Sequence, residues 1–130
     1  MAKRKKTKKQ EIIFPKRGEI YLVNFDPTIG AEIKKTRPAL ILQNNIANRY
    51  SPVTIVAAIT SKNTEDLYPT EVLLSGGGLR GLEVESKILL NQLRTIDKSR
   101  LIKHLGRISG SEFQKLNTAL EISLGLVDLE

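Results

Sequence analysis

Three polar residues border two apolar runs in the first half of the chain: Glu32, Arg37 and Thr60. Together they could serve phosphodiester cleavage. Cutting RNA without a metal needs a base for the ribose 2′-hydroxyl and a proton for the departing 5′-oxygen. It also needs fixed positive charge where the phosphorane oxygens become negative. Arginine suits the third task, because its planar fork aligns two donors on phosphate. With a pKa above ~12 it is a poor acid. A threonine hydroxyl donates one hydrogen bond to a non-bridging oxygen. Glu32 is the nearest carboxylate, although one with a pKa near ~4 is a weak base unless partly desolvated.

The flanking runs must bring these residues together. Gly18–Phe25 reads as a first strand, rich in residues that suit a pleated, buried surface. Asp26-Pro27 turns the chain, and residues 28–37 form a loop. Pro38–Gln43 is the second strand, 44–52 a polar connection, and Val53–Ile59 a third strand apolar enough for burial on both faces. Sequential strands usually pair. If Gln43 faces Val53, Arg37 lies diagonal to Thr60; a one-residue slip puts them directly opposite. Either register brings both within reach of one phosphate.

Further along, 61–68 is a polar loop and Pro69–Leu74 a short fourth strand. Gly76, Gly77 and Gly78 read as a hairpin turn, since they lack the lysine and spacing of a phosphate-binding loop. Val84–Leu93 is a long fifth strand, after which Arg94–Asp97 leaves the sheet. Asp97 is placed to cap a helical turn through Leu101. Ser109 and Glu112 have capping-box spacing, and Phe113, Leu116, Leu120, Leu124 and Val127 recur at helical intervals. Such a stripe could pack on the sheet or on a second copy. The pattern predicts a mainly β domain, a small bent sheet or barrel with a C-terminal helix.

Composition narrows the chemistry. With no cysteine and one histidine, thiolate and multi-histidine metal sites are excluded, as is a two-histidine acid–base pair within one chain. His104 reads as a surface residue. Net charge is +7, but six of the 21 basic residues fall within 1–10, leaving 15 against 14 acidic. Self-repulsion predicts a disordered basic arm over 1–15, with the folded domain over 16–130. That arm could attract phosphate or be a plain solvated terminus. No apolar run reaches the ~20 residues of a membrane helix, and no secretory core follows the basic start, so a cytoplasmic protein is expected. On residues alone, Arg37, Thr60 and Glu32 could equally be an ordinary strand end, strand residue and loop residue.

The order of short motifs goes further. Arg17-Gly18-Glu19-Ile20-Tyr21, Phe25-Asp26-Pro27-Thr28, Gly30-Ala31-Glu32, Thr36-Arg37-Pro38-Ala39-Leu40-Ile41, the run Ile55 to Thr60 and Gln92-Leu93-Arg94-Thr95-Ile96-Asp97 resemble the MazF/PemK family of bacterial type II toxins. Ile41 to Pro52 is similar to its Gram-positive branch. The resemblance covers roughly Lys16 to Val127. It implies an SH3-like barrel with a C-terminal helix, a homodimer and an antitoxin partner. It implies ribosome-independent, metal-independent cleavage of single-stranded RNA, leaving a 2′,3′-cyclic phosphate and a 5′-hydroxyl, with no cofactor. The family's functional arginine, threonine and loop acid fall on Arg37, Thr60 and Glu32. RNA contacts are expected from Arg17, Lys34, Lys35, Gln92 and Arg94.

One departure stands out. Some relatives carry an arginine and an acid just before the QLRTID run, where this chain has Leu89 and Asn91. That alternative acid–base pair is missing, so Arg37 and Thr60 carry more of the burden. The same fold also serves as a non-enzymatic poison of DNA gyrase, which uses an apolar aromatic C-terminal tip. This chain has no tryptophan and ends Leu126-Val127-Asp128-Leu129-Glu130. An inactive RNA-binding relative is the other alternative.

Overall fold

In a computed structural model, residues 14–32 and 35–128 are described, apart from the side chain of residue 79. The basic residues of 1–10 and Lys34 lie outside that set. Six antiparallel strands form one sheet in the order β4-β5-β3-β2-β1-β6. They are β1 (Glu19–Asn24), β2 (Thr36–Ile41), β3 (Val53–Thr60), β4 (Glu71–Leu74), β5 (Ser86–Asp97) and β6 (Leu101–Arg107). Helix α1 (Asn45–Tyr50) joins β2 to β3, and α2 (Gly110–Ser123) follows β6. The expected mainly β fold with a C-terminal helix is present.

The central strands are apolar over residues 39–41 and 56–59, where both their faces are buried. Leu40, Ala57 and Ile59 join the core that α2 covers through Leu116 and Ala119. Their neighbours Ala39, Ile41, Val56 and Ala58 point the other way, into a second cluster with Val23, Phe25, Ile96 and Leu101. Period-2 alternation puts successive side chains on opposite faces. The β4–β5 connection runs back to the far edge, where its 3-10 turn (Gly78–Arg80) packs against β6. Gly81 makes this approach possible. It has φ +68, and a Cβ there would stand 1.9 Å from the Leu105 carbonyl oxygen.

Several boundaries differ from the sequence expectation. Thr36 and Arg37 belong to β2 rather than to the preceding loop, paired with Asn24 and Val23. Residues 45–50 form α1 rather than a connection. Asn44 caps it by accepting from the Ala47 N–H at 2.9 Å. Arg94–Asp97 continues β5 instead of leaving it, paired with Val53–Val56. The single turn after Asp97 forms, with the Asp97 carboxylate accepting from the Ser99 N–H. Beyond it lies β6, which the sequence reading lacked. His104 is therefore a strand residue, 3.4 Å from Glu19 and edge-on to the Tyr21 ring. The folded body also extends past Lys16: Pro15 is buried, and Arg49 and Lys98 lie over the Phe14 ring.

Helix α2 starts at the expected capping box, with Glu112 accepting from the Ser109 N–H at 2.8 Å. It stops at Ser123, short of the expected stripe. Gly125 takes φ +73, and its N–H and that of Leu126 close on the carbonyls of Ile122 and Glu121. This is a left-handed C-terminal cap. Leu124, Leu126 and Val127 are consequently exposed.

Candidate active site

β2 and β3 pair Ala39 with Ala58, Leu40 with Ala57 and Ile41 with Val56. This is the slipped register of the two considered. Carried two residues beyond the last of these pairs, the same register would set Arg37 opposite Thr60 on one face. Both residues line a depression of about 490 Å³ at this end of the sheet, together with Lys35, Ser61, Glu83 and Leu105. Thr60 accepts from the Lys62 N–H at 3.2 Å. Accepting there leaves its own O–H to donate. Lys35, at φ 69, is held by its N–H bond to the Asp26 carboxylate.

A second depression of about 500 Å³ begins on the other side of Thr60. Lys62, Asn63, Tyr68, Asn91 and Gln92 line it with Thr60. Its shape follows from β5. The β3–β5 register shifts between Ala57 and Ile59, so β5 carries extra residues through 89–92. Such irregularities re-aim side chains. Gln92 also borders a third, smaller depression of about 150 Å³ with Glu32 and Arg94. Thr60 and Gln92, each shared by two depressions, link the three into one path across the molecule.

The other anticipated residues separate. Glu32 is on the Gln92–Arg94 stretch of the path, not in the Arg37 depression, and its carboxylate accepts from the Ile29 N–H at 2.8 Å. Arg94 lies over the Phe25 ring and donates to the carbonyls of Phe25 and Pro27, anchoring the β1–β2 loop. Arg17 lines none of the three depressions. It donates to the Leu42 carbonyl at 3.0 Å and to Asn117 at 2.8 Å, and lies over Phe113. That arrangement ties the segment before β1 to α2. Asn63 and Tyr68 belong to the 61–69 loop, which with 28–36 is expected from the resemblance to set the cut-site preference, while Glu83 had no signal in the sequence. All three reach the path only because the connections on either side of β4 fold back.

Three titrating groups among the described residues are displaced; one is Asp97, whose carboxyl the Ser99 N–H and hydroxyl hold below the usual range. Burial, then the nearby Glu19 charge and hydrogen bond, push the Tyr21 phenol up to about 12. It therefore stays protonated near neutral pH. Burial favours the neutral form of Glu112, but the Ser109 N–H, Arg80 and the Ser109 hydroxyl together hold its carboxyl below the usual range. Among the described residues, no three His, Cys, Asp or Glu side chains cluster as metal ligands, and no helix is long and apolar enough to cross a membrane.

Comparison with known proteins places this architecture. The chain is 42% identical over 113 residues to Endoribonuclease EndoA of Bacillus subtilis, covering 87% of this chain and 97% of the relative. It is 41% identical over 111 residues to Endoribonuclease MazF of Staphylococcus saprophyticus, covering 85% and 92%. Among solved structures, MazF of Deinococcus radiodurans superposes with TM-score 0.73 at 26% identity, over 87% of this chain and 98% of that one. An endoribonuclease from a mycobacterial species in complex with its cognate antitoxin gives TM-score 0.71 at 25% identity, over 88% and 98%. Residues 16–124 match the family described as PemK-like, MazF-like toxin of type II toxin–antitoxin system. The chain belongs to that family.

Proposed function

We propose that this chain is a toxin endoribonuclease that cleaves single-stranded mRNA independently of the ribosome and of metal ions. The observation that carries the reading is the convergence of Arg37 and Thr60 in one depression. The guanidinium fork and the hydroxyl would hold the scissile phosphate in line for attack by the 2′-oxygen. As charge grows on the phosphorane, these donors gain strength, which is the differential binding that lowers a barrier. The products are a 2′,3′-cyclic phosphate and a 5′-hydroxyl, the departing 5′-oxygen taking its proton from water. Lys35 adds charge in the same depression, while Gln92 and Arg94 carry the strand onward. Lys34, outside the described residues, is assigned to the RNA as well.

Glu32 is the proposed acceptor of the 2′-hydroxyl proton, once RNA draws the β1–β2 loop toward Arg37. A second reading rests on Glu83, which already shares the depression. pH–rate profiles of Glu32→Gln and Glu83→Gln separate them. The base is the residue whose loss removes the acidic limb.

Two relatives in complex supply the partner reading: an endoribonuclease with its cognate antitoxin, and a MazE–MazF assembly. An antitoxin with an acidic segment would occupy the same path as RNA. Exposed Leu124, Leu126 and Val127 offer apolar surface to a second copy, in keeping with a cytoplasmic homodimer.

The test is incubation with a long unstructured RNA in EDTA, with mapping of the new 5′ ends. Discrete cuts bearing 5′-hydroxyls are expected. Intact RNA would overturn the reading, and inhibition of gyrase supercoiling in its place would favour the poison.

A further inference from the structure

Lysine is almost never buried unless paired, yet the Lys87 side chain is 5% exposed and the Glu71 side chain 6%. Lys87 Nζ meets Glu71 Oε1 at 2.9 Å and donates to the Asp66 carbonyl at 2.9 Å. The same Glu71 oxygen accepts from the Tyr68 N–H at 3.1 Å. Lys87 stands directly opposite Thr60 across the β3–β5 ladder, and opposite Leu73 in β4. Glu71 is therefore its diagonal neighbour on one face. The pair lies under the second depression, which both residues line.

The connection between β3 and β4 contains no strand and no helix. Hydrogen bonds join it to the strands: the Lys62 N–H on Thr60, the Asp66 carbonyl on Lys87, the Tyr68 N–H on the Glu71 carboxylate, and, at its end, the Glu71 N–H on the Tyr68 carbonyl and the Leu90 N–H on the Thr70 carbonyl. The two side-chain ties, at the Asp66 carbonyl and the Tyr68 N–H, depend on the buried ions. The tied segment presents Asn63 and the 66% exposed Tyr68 beside Thr60. An aromatic face and amide groups are what a splayed base of single-stranded RNA requires.

We propose that the Lys87–Glu71 ion pair positions the 61–70 segment as the wall of a nucleobase subsite, and so sets which base is accepted next to the scissile phosphate. The pair acts through the segment and does not touch the reacting atoms. This inference rests on the endoribonuclease reading above. A buried ion pair is a poor stabiliser compared with apolar residues of similar size. What it adds here is a fixed geometry for a segment with little apolar anchorage.

The test uses the full chain and an RNA pool randomised around the cut. Removing one ion leaves the other buried alone, so the variant is the double Glu71→Met, Lys87→Met, checked for cooperative unfolding. Tyr68→Ala is the companion, since its side chain is on the surface. Both are expected to keep cutting with 5′-hydroxyl products. At one position adjoining the cut, discrimination should fall about tenfold, with other positions unchanged. A folded double variant with wild-type preference at every position would overturn the proposal. So would a uniform loss of rate, or wild-type preference in Tyr68→Ala. An unfolded double variant would show the pair to be needed for the fold itself, and Tyr68→Ala would then decide alone. Wild-type protein that leaves the pool intact would instead overturn the nuclease reading, and this inference with it.

Discussion

At the scale of single residues, Arg37 is the group whose loss should be felt most. By comparison with lost oxyanion donors, Arg37→Ala should forfeit about 2–4 kcal/mol of transition-state stabilisation. Single-turnover cleavage measures this directly, and a rate within threefold of wild type would be inconsistent with it. Arg37→Lys keeps the charge but not the fork, so it should recover only part of the loss. The closeness of Arg37 and Thr60 was legible in the sequence, because two apolar runs with a short connection leave few registers. The destination of Glu32 was not legible. Its loop conformation depends on Arg94 in β5 and Arg100 in the turn after it, which hold the carbonyls of 24–27 from positions remote in sequence. Arg17 is the converse case. Its sequence neighbourhood suggests a ligand contact, and nothing there signals the bonds it makes in the fold to Leu42 and Asn117 and over Phe113.

At the scale of elements, the strands buried on both faces were readable and the marginal ones were not. β6 reads LIKHLGR and is an edge strand with four exposed positions among seven. Its register with β1 shifts twice, so no period-2 alternation survives in its sequence. α1 is only one to two turns long and leaves Ile46 and Tyr50 exposed. Polar bonds hold it in place of an apolar stripe: Asn48 bonds to Gln43 and Thr54, and Lys98 donates to the Asn48 carbonyl. Two predictions belong here. Gly81→Ala combines a left-handed backbone with a clash against the β6 backbone. It should cost at least ~1–2 kcal/mol from the backbone alone, read as a lower urea midpoint; unchanged stability would contradict the close approach. Glu112 holds the start of α2 and receives Arg80 from the 3-10 turn. Its pKa is lower folded than unfolded, so its contribution is present above the unfolded value near ~4.3. The contribution is lost as pH falls through the folded value. Glu112→Gln should therefore be less stable than wild type by about 1–3 kcal/mol at pH 7. The gap should close in acid, and a gap that ignores pH would refute the assignment.

At the scale of the whole molecule, charge and chemistry are separated. The body is nearly balanced, and the excess of positive charge is in residues 1–10. Each phosphate contact contributes about 0.7 to the salt slope of single-strand binding. Deleting residues 2–10 should flatten that slope and leave the cut site unchanged; a moved cut site would show that the arm reads sequence. The fold's contribution is to set two residues from different strands against one phosphate. That central claim is tested most directly by a cycle of Arg37→Ala, Thr60→Ala and the double variant in single-turnover RNA cleavage. Groups that act as a unit are grossly non-additive. The double variant should therefore be little slower than the worse single one. Losses that simply multiply, or a Thr60→Ala enzyme as fast as wild type, would mean that the two side chains do not share the reacting phosphate.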